Sequence, residues 1–175
     1  LARVEAHIRV GRALAQAREE ARSRAAMVDI LHEVTDSLKP DEMYHILARR
    51  VARALNISKC SMVLAKPGDQ QGIVVAAYEN PMLRNLQIEL SRYPEIRKAV
   101  SSGRLVLVED VASDSLYEEE RRRWERENIK VPTRSAVALP FWMKDQQIGV
   151  FFLRTNGDDP PLTRADASFA ETVIK

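Results

Sequence analysis

The sequence is poor in cysteine and histidine, and this scarcity excludes several kinds of site. Cys60 is the single cysteine among 175 residues. A disulfide within the chain is therefore impossible, and so is a zinc or iron–sulfur site built from several cysteines. The three histidines, His7, His32 and His45, all precede the predicted strands. We therefore expect no histidine-ligated haem in a cavity built from the later segments.

Long apolar runs and an excess of one charge are also missing. No stretch approaches the roughly 18 apolar residues that a bilayer-spanning helix needs, and the N-terminus lacks the apolar core of a signal peptide. The 27 basic and 25 acidic residues leave a net charge of only +2, which is not the electrostatic signature of a nucleic-acid-binding protein. We predict a cytoplasmic protein that neither inserts into a membrane nor binds nucleic acid.

Residues 1–38 predict one long helix, because they contain no proline, a single glycine and many good helix formers. Small and apolar residues recur there at spacings of three and four, which is typical of a seam between paired helices. The predicted dimer seam consists of Leu14, Ala17, Ala21, Val28, Leu31 and Leu38. We predict a coiled-coil-like homodimer, and the alternative is a single helix packed on its own domain.

From Pro40 onward the pattern predicts an α+β domain. A helix begins near Pro40, and Thr163 and Asp166 form a capping box for the last helix. Strands grouped in hairpins with helices between them favour an antiparallel sheet. The predicted strands are 60–65, 72–78, 86–90, 105–108, 135–141 and 148–153, the last two joined by the polar link 144–147, and the later helices are 94–100, 115–129 and 163 to the end.

The helix predicted over 115–129 is highly charged. Its residues allow i,i+4 ion pairs between Glu118 and Arg122, Glu119 and Arg123, and Arg123 and Glu127. Such pairs are typical of a solvated helix face. The functional alternative is a pocket lid whose position reports on a ligand.

Two segments together resemble the GAF domain family. They are Leu86–Val111 (LQIELSRYPEIRKAVSSGRLVLVEDV) and Ser135–Leu153 (SAVALPFWMKDQQIGVFFL). The first resembles the family's strand, pocket helix and strand, and the second its closing hairpin, with Ile-Gly-Val opening the last strand. The resemblance implies a central antiparallel sheet of about six strands, with helices on one face and a small-molecule cavity on the other. It assigns residues 26–175 to the domain and 1–25 to a linker helix.

The first nine residues, Leu1–Arg9, resemble the last helix of a response-regulator receiver domain. This resemblance implies a bacterial two-component signalling protein as the parent. Such a protein would carry a receiver before the domain and an output domain of histidine kinase or diguanylate cyclase type after it.

Several chemistries known in this family or its partners do not match these residues. The spacing from His32 to Pro40 is longer than in a phospho-acceptor box. Cys60 lies in a predicted buried strand, which argues against bilin attachment and methionine-sulfoxide reduction. The nucleotide-binding pattern is absent, and no acid–base, nucleophile or metal set converges. We predict a non-catalytic module without haem, bilin or zinc.

The predicted function is sensing and dimerisation, with an unidentified small molecule as the candidate signal. Pockets are mostly apolar with a few convergent polar groups, and Tyr93 and Arg97 carry the polar tips worth testing. The candidate ligand-binding residues are Tyr93, Ile96, Arg97, Val100, Leu116 and Tyr117. The alternative function is a structural dimerisation spacer that binds no ligand.

Overall fold

The computed structural model describes residues 40–143 and 146–174, and the isolated positions 16, 18, 19 and 22. The predicted long N-terminal helix, its dimer seam (Leu14, Ala17, Ala21, Val28, Leu31 and Leu38) and the receiver-like residues 1–9 lie outside the described residues.

The elements of the domain follow the predicted order. The helices are α1 (Pro40–Ala54), α2 (Pro94–Ser102), α3 (Glu118–Glu127) and α4 (Arg164–Ile174), and two 3₁₀ turns occupy Leu90–Arg92 and Ser115–Tyr117. The strands are β1 (Lys59–Leu64), β2 (Gln71–Ala77), β3 (Leu86–Glu89), β4 (Val106–Val108), β5 (Thr133–Met143) and β6 (Gln146–Asn156). Within the described part of the chain, none of the helices has the length and apolar character that crossing a bilayer requires.

The six strands form one sheet in the order β3-β2-β1-β6-β5-β4, and every pairing is antiparallel. β6 lies in the middle, where it pairs with β1 on one side and with β5 on the other. This arrangement confirms the predicted α+β class and the GAF-like sheet. It also places side chains of β1 and β6 side by side at the centre of each face.

Both faces of the sheet are covered by helices, which corrects the expectation of helices on one face only. Alternate residues of β6 point to opposite sides, as the period of a strand requires. Phe151 and Leu153 belong to a core with α1 and α4. Val150 and Phe152 belong to a second core with α2 and Tyr117. We call the α1/α4 side the first face and the α2 side the second face.

The tip of the β5–β6 hairpin differs from the prediction. The hairpin between β5 and β6 pairs Met143 with Gln146, so Gln146 and Gln147 belong to β6 rather than to the link. The backbone ladder continues to the tip because its hydrogen bonds do not depend on side-chain polarity. In α3, Arg122 pairs with Glu118 as predicted.

The charged face of α3 also departs from the predicted pairing at Arg123. Its guanidinium contacts Glu127, as predicted, and Glu120, instead of the predicted Glu119. Glu120 is only 6% exposed, so the helix is not a uniformly solvated face. One of its acidic residues points toward the domain.

Candidate functional site

A cavity of about 300 Å³ lies against the second face of the sheet. Lys59 of β1 and Phe152 and Arg154 of β6 line it from the sheet. The covering residues come from the start of α2, from α3 and the turn before it, and from the segment between α3 and β5. They include Tyr93, Glu95, Tyr117, Glu120 and Trp124.

A second cavity of about 280 Å³ lies beside the first and extends toward β2 and the loop before β3. It shares Tyr93, Phe152 and Arg154 with the first cavity. These three side chains therefore line both hollows, and a bound molecule in either would contact them.

Aromatic rings give the first cavity a firm wall. Tyr93 meets Phe152 edge to face, with ring centroids 6.0 Å apart. The ring centroids of Tyr117 and Trp124 lie 5.7 Å apart. Such ring pairs add roughly 0.5–1.5 kcal/mol each beyond burial, so the wall is held by its own packing.

Arg154 is fixed from two directions. Its guanidinium lies 4.9 Å from the centroid of the Phe152 ring, and Nη2 donates to Glu79 at 2.7 Å. The Nε–H donor is buried and has no hydrogen-bond partner within the described residues. Arg154 therefore reaches the cavity paired with Glu79, and its buried Nε–H is left without a partner among the described residues.

Glu95 is the most unusual residue of the site. It lies in the first turn of α2 directly after Pro94, and it is 0% exposed. Neither carboxyl oxygen has a hydrogen-bond partner among the described residues. It shares a helix face with Ala99, four residues later, which is also fully buried. A carboxyl group is thus held at the cavity where the helix would otherwise present an apolar side chain.

Burial raises the pKa of Glu95 to about 7, from an ordinary value of 4.5. The hydroxyl of Tyr117 lies near enough to lower this pKa, although outside hydrogen-bond geometry. The backbone N–H of Glu95 and the charge of Arg154 lower the pKa further, whereas Glu120 raises it. Burial raises the pKa of Tyr117 as well, with the Glu95 charge as the next cause. Desolvation outweighs the favourable groups, so the carboxyl group is partly protonated near neutral pH.

Ion pairs close the rim of the cavity. Arg92, in the turn before α2, contacts Glu127 at the end of α3 at 3.4 Å. Arg123 bridges Glu127 at 3.1 Å and Glu120 at 3.6 Å. Pairs as exposed as Arg92 and Glu127 contribute little stability, typically about 0–1 kcal/mol. The Arg92–Glu127 pair joins α3 to the turn before α2, whereas the two Arg123 pairs lie within α3.

The predicted ligand residues divide according to their place in this geometry. Tyr93 and Tyr117 line the first cavity. Ile96 and Val100 are 0% and 3% exposed and belong to the core of the second face. They pack in the core next to the site and are not among the residues that line the cavity.

The other two predicted residues lie farther from the cavity. Leu116 is part-buried and packs against the second-face core. Arg97 is exposed and lines none of the described hollows. The helical period explains this position: Arg97 follows the buried Ile96 by one residue and so turns toward solvent.

Sequence reasoning missed most of the lining residues, among them Glu95, Phe152 and Arg154. Glu95 belongs to the Tyr-Pro-Glu sequence within Leu86–Val111. Its spacing of four residues from Ala99 was a signal for burial, because residues four apart share a helix face. Phe152 and Arg154 alternate with residues of the first face, so the period of a strand placed both on the second face.

Cys60 does not belong to this site. It is 0% exposed within the first-face core, and burial raises the pKa of its thiol, with the nearby Glu79 as a lesser cause. In the described part of the chain, no group of three or more His, Cys, Asp or Glu residues could hold a metal ion.

A third hollow of about 390 Å³ lies at the β4 edge, lined by residues such as Lys98, Arg164 and Glu171. Among the described residues, no buried unpartnered polar atom lines it, whereas Glu95 and Arg154 bring such atoms to the first cavity. The first cavity is therefore the better candidate for a binding site.

Comparison with known proteins agrees with the sheet and its helices. The family model described as "GAF domain" matches residues 37–174. Similar solved structures include the GAF domain of an Acinetobacter phosphoenolpyruvate-protein phosphotransferase (18% identity, TM-score 0.63, covering 86% of each chain). No curated protein matches the chain.

Two further similar structures hold different bound molecules. One is free methionine-R-sulfoxide reductase from Neisseria meningitidis in complex with its substrate (16% identity, TM-score 0.64, 87% of this chain and 83% of that one). The other is the phycocyanobilin-bound GAF domain of a cyanobacterial phytochrome (19%, 0.63, 87% and 88%). At these identities the likeness establishes the fold.

Proposed function

This chain belongs to the GAF domain family, and we propose that it is the sensory and dimerisation module of a multidomain bacterial signal-transduction protein. GAF domains are regulatory modules of signalling proteins. In this proposal residues 26–175 form the sensor and residues 1–25 a linker helix, and the protein works in the cytoplasm. The signal is a small molecule that occupies the cavity on the second face.

The buried carboxyl group of Glu95 carries this proposal. Buried polar groups in proteins are almost always hydrogen-bonded. Among the described residues, however, neither oxygen of Glu95 has a hydrogen-bond partner, and the residue lines a cavity. A domain that only held two subunits together would be more stable with an apolar residue there. A bound molecule that supplies the missing donors gives the arrangement a purpose.

Transmission of the signal would run through α3. This helix covers the cavity, and weak rim pairs such as Arg92–Glu127 connect it to the start of α2. A ligand can shift an equilibrium only through different affinities for two states. A cover joined to the start of α2 by an exposed ion pair would allow two such states, and the predicted dimer seam would carry the change to an output domain of histidine kinase or diguanylate cyclase type.

We propose that the module is not itself catalytic and carries no haem, bilin or zinc. The one sulfur nucleophile, Cys60, is fully buried on the first face, and its raised pKa keeps it a thiol. Reduction of a sulfoxide by a thiolate and covalent attachment of a bilin would both require an accessible cysteine.

The rival function is a structural dimerisation spacer. The heptad-like pattern of the predicted seam favours it, because paired helices hold two subunits together without any ligand. The two functions differ in whether the cavity is occupied in the cell.

Native mass spectrometry of the purified protein tests the proposal. We expect a dimer that carries additional, removable mass. Val111 is buried and lines the cavity, so Val111→Phe should occupy the space and abolish the added mass. Ile73→Phe, at a β2 position that is 40% exposed, is the matched control and should retain it. A dimer without added mass in the unmodified protein would favour the spacer instead.

A further inference from the structure

The chemistry of the cavity narrows the class of ligand. Both oxygens of the Glu95 carboxyl group are buried and lack donors among the described residues. A carboxylate offers about four lone-pair sites on two oxygens. A molecule that satisfies both oxygens therefore has to bring several N–H or O–H donors into the cavity.

Resting on the sensory function proposed above, we infer that Glu95 anchors a small molecule bearing a protonated amine or amidinium group, with an apolar body against the aromatic wall. An amidinium presents two parallel N–H donors that match both oxygens of a carboxylate, and a protonated amine presents three. A neutral alcohol has one donor and leaves an oxygen unpaired.

The aromatic wall favours the same class of ligand. Tyr93, Tyr117, Trp124 and Phe152 all line the cavity. The faces of aromatic rings attract cations, most strongly when both are removed from water. The rings also supply the apolar surface that most small-molecule sites use for affinity.

The basic side chains of the cavity differ in how strongly they would repel a bound cation, because some are already paired with a carboxylate. Arg154 is paired with Glu79 at 2.7 Å and Arg92 with Glu127 at 3.4 Å. Lys59 lies opposite Arg154 in the strand register and has no ion-pair partner in the described part of the chain. Lys59 therefore suits an anionic substituent on the same ligand, so a zwitterion also fits.

Cation binding should be linked to the proton on Glu95. Burial raises the pKa of this carboxyl group to about 7, and a cation beside it lowers that pKa and expels the proton. The charged or titratable groups that face it are Tyr117 and Glu120 from the α3 side, Arg154 from β6 and Tyr93 beside it. Affinity for a cation should fall about ten-fold for each pH unit below the pKa.

A matched set of three probes tests this inference on the full chain. Benzamidine is a cation at neutral pH, benzamide is its neutral analogue and benzoate its anionic one. We expect benzamidine to bind about ten-fold or more tightly than the other two, as a charge-assisted pair predicts. In a titration followed by protein NMR, the chemical-shift changes should map to residues of the cavity. Of the three probes, only benzamidine should lose affinity from about pH 8 to about pH 5.

The anchoring residue is tested by Glu95→Gln, which keeps the shape and removes the charge. Benzamidine should bind this variant about ten-fold or more weakly. Glu125→Gln, at an exposed position of α3, is the control and should bind it unchanged. Equal benzamidine affinity in Glu95→Gln and the unmodified protein overturns the inference.

The outcomes also separate this inference from the proposed function. If benzamide or benzoate binds as tightly as benzamidine, the amine preference is wrong and the cavity remains a binding site. If no probe binds while the purified protein carries mass that Val111→Phe removes, the inference fails and the sensory function stands. If no probe binds and the protein carries no added mass, both fail.

Discussion

A buried carboxyl group without a hydrogen-bond partner destabilises the folded state whenever it is charged, and Glu95 is such a group within the described part of the chain. Below a pH of 4.5 the carboxyl group is protonated in both the folded and unfolded chain. Between about 4.5 and 7 the folded chain retains the proton that the unfolded chain has released. The contribution of Glu95 to the free energy of unfolding therefore decreases as the pH rises through this window, and is constant above it.

We predict that Glu95→Gln removes this pH dependence. Relative to the unmodified protein, the variant should gain about 2–3 kcal/mol of unfolding free energy at about pH 8 and much less at about pH 4.5. Urea denaturation at a series of pH values measures the difference. Glu125→Gln should show no such window, and a parallel profile for Glu95→Gln would mean that the carboxyl group is not perturbed.

Gly149 shows why one position of β6 tolerates no side chain. It lies between Leu64 of β1 and Phe141 of β5 in the central part of the sheet. A Cβ at this position would overlap the carbonyl oxygen of Val63 and approach the Cα of Leu64 to 2.9 Å. Backbone atoms of a central strand cannot move aside without breaking the ladder. The glycine of the Ile-Gly-Val motif is thus required by close strand approach.

Gly149→Ala is expected to destabilise the domain by about 3 kcal/mol or more, at or beyond the upper end of overpacking costs. The urea midpoint followed by circular dichroism would report the loss. Gly157→Ala is the matched control, because nothing lies within 4 Å of a Cβ built there, and its midpoint should remain nearly unchanged. Equal effects of the two substitutions would contradict the close-approach argument.

At the residue scale, the sequence predicted the aromatic part of the site better than its charged part. Tyr93 and Tyr117 line the cavity as placed by the family resemblance. Arg97 is exposed, while Glu95 and Arg154 are at the cavity. The general rule that charged residues lie at the surface misses a buried carboxyl group, because the sequence alone does not show its surroundings.

At the element scale, helices and strands could be predicted wherever the hydrophobic period was clear. The switch from the helical period of α1 to the continuous apolar run of β1 marks both elements correctly. The tip of the β5–β6 hairpin was missed because Gln146 and Gln147 are polar. Strand pairing extends over such residues when the neighbouring strand supplies the ladder, which is a property of two segments and not of one.

The capping box at the start of α4 gives a quantitative test of one such local signal. The Oγ1 of Thr163 accepts a hydrogen bond from the Asp166 backbone N–H at 3.3 Å, and the Asp166 carboxylate accepts one from the Thr163 N–H at 2.8 Å. Thr163→Ala should lower the free energy of unfolding by about 1 kcal/mol.

Thr172→Ala provides the control within the same helix. Its hydroxyl donates to the Ser168 carbonyl at 2.9 Å near the end of α4, a bond that does not satisfy an orphan group of the helix terminus. We expect a change of less than about 0.5 kcal/mol in urea denaturation. If Thr163→Ala is as mild as this control, the capping box contributes nothing measurable.

At the scale of the whole molecule, the sequence predicted an antiparallel sheet but not the order of the strands within it. Alternation assigns residues to faces, but it does not say that β6 lies between β1 and β5. The second layer of helices was missed for the same reason. α2 is amphipathic, with Ile96, Ala99 and Val100 buried, yet which face of the sheet it covers depends on how the chain crosses over.

The proposed dimer joins two molecules through the predicted seam, so substitutions within that seam test it. Val28→Glu together with Leu31→Glu places charges within that seam, where desolvation and like-charge repulsion oppose pairing. Light scattering should report monomers. Gln16→Glu with Arg22→Gln changes the net charge by the same amount at two exposed positions, and that variant should remain dimeric. A dimer that survives both pairs of substitutions would mean that the subunits associate through the domain itself, and the signal would then have to pass between subunits through the sheet and its helices.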